Sequence, residues 1–373
     1  MKRINAIISI LLAAIFVFAC TKPPLPKGDK EIAENSTLYA NNGKLAIKHD
    51  DALYFNARIG EYVVMYAADL ANGGALPACG KPDCLHNDAS CNACIGGAIP
   101  NQSYTIYNGR FYWVAAAFED SVSEYYLYSM TLDGTDRKIE MKLNRDYESV
   151  ILLGVSGIYD GMLYRCGTGN YVENAEIHYV TLIYAQPLQG GEPKEIMRLD
   201  GGDQLAVKFD GHTIYCASAI FSEDILRLHS YDMENDELKE LYSGKAPADA
   251  IAMTVDGSDL IFQEGRGVSY LMNSGSFSEL FPNAPIDAKY SITDTACVDF
   301  TLDELVCTDH DGNLIAKLPL KCDWLDETVI KYKLGSIDGV FYFYFCSIVD
   351  KPFNNYLVSF DPSEPKLNLI WKG

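Results

Sequence analysis

Four cysteines and one histidine lie within one short segment of the chain, Cys79–Cys94. Four of these residues form a Cys-x4-Cys-x-His-x4-Cys pattern: Cys79, Cys84, His86 and Cys91. Thiolate sulfurs and an imidazole nitrogen can converge on one tetrahedral ion when the chain between them turns tightly. The intervening turn-forming residues are Pro82, Asp83, Asn87 and Asp88. The spacing therefore predicts a structural metal site with these four ligands, and Zn²⁺ is the expected ion.

Disulfide bonds and free thiols are the two other interpretations of the segment. The chain has 11 cysteines, an even number once Cys20 is set aside, which would allow full pairing outside the cell. Several others lie within apolar runs and are typical of small buried core residues: Cys166, Cys216, Cys297, Cys307 and Cys346. So many buried cysteines indicate a reducing, anaerobic environment. The sequence leaves metal, disulfides and free thiols open.

A short repeated phrase dominates the rest of the chain. An Asp or Asn is followed by a small or polar residue and an aromatic-rich apolar run, starting at Asp51, Asn108, Asp160, Asp210, Asp256, Asp294 and Asp338. Asp-Gly and Asn-Gly favour tight hairpin turns because these residues tolerate positive φ. Short strands repeating every roughly 50 residues are typical of β-propellers. We predict an all-β, seven-bladed β-propeller of four-stranded antiparallel blades. Six or eight blades are alternative counts, and stacked β-sandwich modules are the rival architecture.

The N-terminus has the pattern of a targeting segment. Lys2 and Arg3 precede an apolar run over 7–18, and residues 17–20 (Val-Phe-Ala-Cys) resemble a bacterial lipobox, whose cysteine is diacylated and becomes the mature N-terminus. The run is shorter than the about 20 residues of a membrane-spanning helix, so a plain anchor is the weaker alternative. The predicted organisation is a signal peptide over 1–19 with lipidation at Cys20, a tether over 20–35, and a propeller over 36–373 with a Cys-rich insertion at 77–97.

The charge of the chain restricts its partners. It carries 51 acidic residues against 30 Lys and Arg, a formal net charge of −21. Nucleic-acid binding depends on Lys and Arg that neutralise phosphates, so nucleic acid is excluded as a partner. Anionic headgroups also repel an acidic surface, so the lipid on Cys20 would be the attachment to the membrane. These features predict a lipid-anchored, extracytoplasmic protein of a bacterial cell envelope.

The lipobox, the Asp-Gly-aromatic repeats and the Cys-Gly-Lys-Pro-Asp-Cys-x-His segment together resemble a family of uncharacterised surface lipoproteins from anaerobic gut bacteria. The family's propeller domains, of unknown function, are distantly similar to TolB-type and low-density-lipoprotein-receptor propellers. The resemblance covers nearly the whole chain after the signal peptide. It implies a propeller at the cell surface, and it brings no activity and no catalytic residue.

Motifs for catalysis are missing from the sequence. It contains no Gly-rich phosphate loop and no nucleophile elbow. The sequence therefore predicts a non-enzymatic binding or scaffold protein whose ligand is a protein or a glycan. A glycan-active enzyme with two carboxylates in the propeller channel is one alternative. A purely structural envelope protein is the other.

Three stretches interrupt the repeat and are predicted to be long loops on one face, at 116–124, 166–177 and 347–355. Loops on a rigid scaffold often carry function. Each contains one aromatic residue that could stack on a sugar or anchor a partner. These candidate binding residues are Phe118, Tyr171 and Phe353.

Overall fold

A computed structural model describes a defined part of the chain. The described residues are 34–35, 46–59, 62–96, 103–119, 122–143, 153–201, 204–220, 225–245, 253–256, 259–262, 268–271, 275–279, 291–292, 296–300, 303–309, 311–325, 329–347 and 354–373. These residues form strands and turns and no helix. Consequently no helix within these ranges has the length and apolar character needed to cross a membrane. The predicted signal peptide and Cys20 lie outside the described residues.

The described strands form seven antiparallel sheets within one compact unit, Ile32–Gly373. The first sheet contains β2 (Ala46–His49), β3 (Ala52–Ile59), β4 (Tyr62–Asp69), β5 (Ala75–Pro77) and β6 (Cys94–Gly96). The second contains β1 (Glu34–Asn35), β7 (Tyr104–Tyr107), β8 (Arg110–Glu119), β9 (Val122–Thr131) and β10 (Lys138–Leu143). The third contains β11 (Leu153–Tyr159), β12 (Met162–Glu173), β13 (Glu176–Pro187) and β14 (Lys194–Asp200).

The remaining four sheets each have four strands in sequence order. The fourth contains β15 (Gln204–Asp210), β16 (Thr213–Ile220), β17 (Ile225–Asp232) and β18 (Glu237–Lys245). The fifth contains β19 (Met253–Asp256), β20 (Asp259–Phe262), β21 (Val268–Leu271) and β22 (Ser276–Glu279). The sixth contains β23 (Ser291–Ile292), β24 (Cys297–Phe300), β25 (Glu304–Thr308) and β26 (Leu314–Pro319). The seventh contains β27 (Val329–Ile337), β28 (Val340–Ser347), β29 (Asn355–Asp361) and β30 (Glu364–Lys372).

The first strands of neighbouring sheets contact one another. β2 contacts β7, β7 contacts β11, β11 contacts β15, β15 contacts β19, and β23 contacts β27. β27 in turn contacts β2, so the last sheet returns to the first. Meandering four-stranded sheets that meet through their first strands and close on themselves form a β-propeller. The predicted all-β propeller of four-stranded antiparallel sheets is confirmed, and seven sheets are described.

The repeated phrases form the predicted hairpin turns between the first two strands of a sheet. Asp160 and Gly161 have φ of 45° and 73°, and they join Tyr159 to its partner Met162. Two consecutive residues with positive φ make the turn whose twist matches that of the flanking strands. The same pair of left-handed residues closes the hairpins at Asn108-Gly109 and Asp338-Gly339.

Aromatic side chains fill the spaces within and between the sheets. Five of them are fully buried in the seventh sheet and form one cluster with the sixth: Phe341, Phe343, Phe345, Tyr356 and Phe360. Burying one such side chain stabilises the fold by about 2–3 kcal/mol. The aromatic runs of the repeats are therefore the main source of the core.

The packing of the third sheet on the fourth depends on a glycine. A Cβ atom added at Gly157 of β11 would lie 2.5 Å from the ring of Phe209 in β15. Phe209 is buried in a cluster that both sheets share. The ring therefore lies directly on the backbone of the neighbouring sheet.

We expect Gly157→Ala to lower the free energy of unfolding by about 1–3 kcal/mol, because the added methyl group overpacks this contact. Urea denaturation of the full chain measures the effect. The double variant Gly157→Ala/Phe209→Leu is the control, since the smaller side chain makes room for the methyl group. If the two changes in the free energy of unfolding simply add in the double variant, the methyl group at residue 157 does not clash with the Phe209 ring, and this explanation is wrong.

Two of the predicted loops are wrong. Residues 116–119 and 122–124 belong to the β8–β9 hairpin, and residues 166–173 and 176–177 belong to the β12–β13 hairpin. In the second hairpin the turn is only Asn174-Ala175, with φ of 51° and 66°. Glycine and charged residues weaken strand propensity locally, but cross-strand pairing overrides it. Of the third predicted loop, 348–353 lies outside the described residues. The structure also places Glu34–Asn35 of the predicted tether in a strand that pairs with β7.

Candidate metal centre

The Cys-rich segment, defined here as residues 78–93, interrupts the outermost strand of the first sheet. β5 and β6 both pair with β4, β5 beside Tyr66, Ala67 and Ala68 and β6 beside Val63 and Val64. The outer strand is thus split in two, and the chain leaves the sheet between its halves. The predicted insertion at 77–97 therefore starts and ends within the repeat that it interrupts.

The segment brings its four predicted ligands together. One ligand atom each of Cys79, Cys84, His86 and Cys91 lies within 4.8 Å of all the others. The Nδ1 atom of His86 is 3.4 Å from Sγ of Cys91. In a tetrahedral Zn²⁺ site, bond lengths of about 2.0–2.3 Å place neighbouring ligand atoms about 3.5–3.8 Å apart. The four ligand atoms would therefore need to move only slightly closer together to surround one Zn²⁺ ion.

Tight turns at the predicted positions fold the segment. Asp83 and His86 have φ of 58° and 57°, in the left-handed region. The Oδ1 atom of Asp88 accepts a hydrogen bond of 2.7 Å from the N–H of Ser90, and the Asp88 carbonyl accepts one of 3.2 Å from Cys91. Short aspartate side chains make such turns because they bond their own backbone two residues on. The turns reverse the chain and return Cys91 to Cys79.

Backbone N–H groups point at two of the sulfurs. Cys79 accepts hydrogen bonds from the N–H groups of Lys81 and Asn92, and Cys91 accepts one from Ala93. Burial is the largest influence on the pKa of Cys79 and raises it, but the hydrogen bonds outweigh it and the pKa lies below its ordinary value. Burial raises the pKa of Cys91 to about 12, and the neighbouring Cys79 adds to this. A bound cation would instead lower the pKa of Cys91, because metal coordination stabilises thiolates.

The other cysteines do not join the centre. Cys94, the spare cysteine of the segment, is buried in β6. None of the ten described cysteines forms a disulfide bond in the structure. Four of those predicted in the core are buried, as expected: Cys166, Cys216, Cys297 and Cys307. Cys346 is only partly buried.

The segment docks on the turn between β9 and β10 of the second sheet. The N–H of Gly80 donates a hydrogen bond of 3.0 Å to the carbonyl of Gly134. The Nδ2 group of Asn92 donates to the same carbonyl at 2.8 Å and also to the carbonyl of Thr135. The side chain of Asn92 is buried, so these bonds satisfy it within the interface. Polar contacts therefore fix the segment on both sides of the metal ligands.

Two glycines let the backbones of the segment and the turn touch. A Cβ atom added at Gly80 would lie 2.5 Å from the carbonyl oxygen of Asp133. One added at Gly134, whose φ is +72°, would lie 2.5 Å from the carbonyl oxygen of Ala78. Neither position has room for a side chain. The first and second sheets are thus joined by direct backbone contact beside the metal ligands.

Arg137 holds the segment from the second sheet. One of its guanidinium N–H groups donates a hydrogen bond of 2.9 Å to the carbonyl of the ligand Cys91. The guanidinium carbon also lies 5.8 Å from the ring centroid of Trp113 and 5.3 Å from that of Tyr128. These two rings stack at 5.6 Å with an interplanar angle of 12°. A cation above aromatic rings gains about 1–2 kcal/mol when partly desolvated, so Arg137 is a rigid support.

Replacement of Arg137 by alanine is expected to loosen the segment without unfolding the propeller. The variant loses the hydrogen bond to Cys91 and the contact with the two rings, about 2–3 kcal/mol together. We expect at least a tenfold faster reaction of the segment's thiols with a disulfide reagent after metal removal. Arg198→Ala is a matched control, because Arg198 lies in the third sheet and forms an ion pair with Glu195 of its own strand. Equal reaction rates in the two variants would contradict this role.

The four clustered residues could be recognised in the sequence, whereas the residues that support them could not. Asn92 and Arg137 carry no motif, although an Asp-Gly turn could be recognised at Asp133-Gly134. The turn lies more than 40 residues along the chain from the segment in a different sheet. Nothing in the local pattern shows that this particular turn faces the segment.

The structure describes the three candidate binding aromatics only in part, and their role stays a prediction. Phe118 lies in β8, at a register position opposite Ser123. Tyr171 is partly buried in β12 and stacks on His178, with 5.1 Å between ring centroids. Phe353 lies outside the described residues. Within the described ranges, the Cys-rich segment contains the single cluster of three or more potential metal ligands.

Comparison with known proteins shows the fold alone. No family model matches the chain, and no curated protein is similar to it in sequence. A solved prolyl endopeptidase structure has a TM-score of 0.55 at 10% identity, over 91% of this chain and 50% of that one. The chain thus spans about half the length of that peptidase. A 6-phosphogluconolactonase-like protein of Bacteroides uniformis reaches 0.45 at 11% identity, over 92% and 95% of the two chains. A nidogen–laminin complex has a TM-score of 0.40 at 12% identity, over 77% of this chain and 93% of that one.

Proposed function

We propose that Cys79, Cys84, His86 and Cys91 bind one Zn²⁺ ion in a structural role. The observation that supports this is the convergence of four soft ligand atoms within 4.8 Å. Structural zinc sites have four protein ligands, whereas catalytic sites keep one position for water. Three thiolates and one imidazole complete the tetrahedron and leave no position for a substrate. The ion would therefore stabilise the junction of two sheets.

Metal analysis of the full chain tests this proposal. The protein is purified in detergent without chelators, under anaerobic and reducing conditions, and its metals are quantified by mass spectrometry. The expected result is about one equivalent of Zn²⁺ per chain. The variant Cys322→Ser is a control that removes a partly buried cysteine outside the cluster. Less than about a tenth of an equivalent of any metal in the unmodified protein would overturn the proposal.

We further propose that the chain is a surface lipoprotein whose propeller binds a protein or glycan ligand. The support for anchoring is the lipobox that ends at Cys20, since the acidic charge disfavours direct adsorption to anionic lipid. The support for binding is a propeller scaffold whose four clustered potential metal ligands leave no position for a substrate in the proposed tetrahedral site. We expect an acyl mass on Cys20 and release of Cys20→Ala from the membrane fraction. An unmodified N-terminal Met1 in the native protein would contradict anchoring.

Ligand binding is tested with a glycan array and with immobilised full chain. Saturable binding of a glycan or a purified polypeptide, without turnover, is the expected result. Hydrolysis of a polysaccharide by the protein would contradict the binding proposal and favour a glycan-active enzyme. Such an enzyme needs two carboxyl groups about 5–10 Å apart across a pocket.

A further inference from the structure

The β12–β13 hairpin extends beyond the rest of the third sheet. β11 pairs with β12 only as far as Thr168, and β14 pairs with β13 only from Val180. Gly201, which follows β14, also donates a backbone hydrogen bond of 2.8 Å to the carbonyl of Tyr179. Beyond Tyr179, in the described residues, β12 and β13 pair with each other up to the turn at Asn174-Ala175. Residues 169–179, here called the arm, form a two-stranded ribbon about 14 Å long. Among the described residues, no third strand pairs with 169–173 of β12 or with 176–178 of β13, so the open edge of β13 is the part before Tyr179.

One face of the arm exposes apolar side chains. Ile177 and Tyr179 are 61% and 48% exposed, and they lie two residues apart on β13 and thus on the same face. The opposite face carries the stacked pair of Tyr171 and His178. Two-stranded ribbons are only marginally stable in water without further packing. An arm that leaves its apolar face in solvent is therefore suited to gain packing from a partner.

The end of the arm is negatively charged. Glu173 and Glu176 are exposed and lie directly opposite each other across the two strands. Like charges in this arrangement destabilise a ribbon. The arm contains no Lys or Arg that could compensate them. A partner that brings positive charge next to Glu173 and Glu176 would relieve the repulsion between them.

We propose that the edge of β13 in the arm binds an extended polypeptide segment in which basic and apolar residues alternate. The inference rests on the proposed binding function and names its partner. An added strand gains main-chain hydrogen bonds from an exposed sheet edge, and its side chains alternate between the two faces. One set lies on the face of Glu173 and Glu176, where Lys or Arg is complementary. The other set lies beside Ile177 and Tyr179, where apolar residues are complementary.

The same features disfavour other occupants. A second copy of the arm would bring Glu173 and Glu176 against identical acids. Anionic lipid headgroups would be repelled for the same reason. One of the two faces of the Tyr171 ring is already covered by His178, which halves the aromatic surface that a sugar could contact. Charge and alternation together select a basic, strand-forming peptide.

Fluorescence anisotropy with two synthetic peptides tests the inference. The probes are fluorescein-labelled (Lys-Val)4 and (Lys-Ser)4, titrated with the full chain in neutral detergent at about 0.15 M salt, which screens non-specific attraction. The arm variant is Ile177→Ser/Tyr179→Ser. The matched control is Ile139→Ser/Leu314→Ser, which removes two equally exposed apolar side chains elsewhere. Near-ultraviolet circular dichroism confirms that each variant is folded.

We expect saturable binding of (Lys-Val)4, at least tenfold weaker in the arm variant and unchanged in the control, since anchor residues typically contribute 1 kcal/mol or more. The unmodified chain should bind (Lys-Ser)4 at least tenfold more weakly than (Lys-Val)4. Equal affinity of the arm and control variants would overturn the inference. So would equal affinity for both peptides, which would indicate charge alone. If (Lys-Val)4 does not bind while a glycan or another polypeptide does, the inference is wrong and the general binding proposal stands.

Discussion

Replacement of Cys84 by serine is expected to abolish Zn²⁺ binding and to free the Cys-rich segment from the second sheet. A ligand that binds only the folded segment stabilises it in proportion to its affinity, by about 4 kcal/mol at 1,000 times its dissociation constant. Losing that contribution should speed local opening by about 100- to 1,000-fold. The remaining sheets should stay folded, because each blade packs mainly against its neighbours.

Hydrogen exchange of two amides measures this effect. The N–H of Met65 donates to the carbonyl of Ala93, and the N–H of Ala78 donates to the carbonyl of Met65. Both bonds tie the segment to the first sheet, so both amides should lose protection in Cys84→Ser. Amides of the third sheet should exchange at unchanged rates, and Cys322→Ser should behave like the unmodified chain. Unchanged protection of Met65 and Ala78 would show that no ion holds the segment.

Gly134→Ala is expected to be among the most damaging single substitutions outside the ligands. The φ of +72° is unfavourable for alanine by about 1–2 kcal/mol. The new methyl group would also lie 2.5 Å from the backbone oxygen of Ala78, which no side-chain rotation relieves. Overpacking of this kind costs about 1–3 kcal/mol more. The turn must therefore move away from the segment, which breaks the hydrogen bonds from Gly80 and Asn92.

Gly109→Ala separates the two contributions to that effect. Gly109 also has a positive φ, +66°, in a turn of the same sheet, but nothing lies within 4 Å of its added Cβ atom. We expect this control to lose about 1–2 kcal/mol from backbone strain alone. Transfer of Zn²⁺ to a coloured chelator should be about tenfold faster in Gly134→Ala and unchanged in Gly109→Ala. Equal transfer rates in both variants would refute the steric lock between the sheets.

Local sequence signals were sufficient to predict the class of fold. Pairs such as Asp160-Gly161 and Asn108-Gly109 close hairpins because their residues adopt positive φ at low cost, whatever surrounds them. Strand length was less predictable. Residues 169–173 contain a glycine, an asparagine and a glutamate, and they were predicted to be a loop, yet they pair in register with β13. Their conformation is set by the strand opposite, and strand propensity depends on such context.

The convergence of Cys79, Cys84, His86 and Cys91 could be predicted because all four lie close together in sequence. Turns at Asp83 and Asp88 need only local hydrogen bonds, so spacing alone indicates that Cys79 and Cys91 meet. The supports from the second sheet could not be predicted in this way. Arg137 contacts Cys91 only because the propeller places two blades side by side. Tertiary arrangement, and no pattern in the residues, makes Arg137 part of the site.

X-ray absorption at the zinc edge determines the type, number and distance of the atoms around the ion. The sample is the full chain, purified without added metal under reducing conditions. The account predicts one zinc ion with three sulfur neighbours at about 2.3 Å and one nitrogen neighbour at about 2.0 Å. The nitrogen signal should disappear in His86→Ala, and the sulfur count should fall in Cys91→Ser. A protein without zinc, or zinc surrounded only by oxygen, would contradict the assignment of Cys79, Cys84, His86 and Cys91 as its ligands.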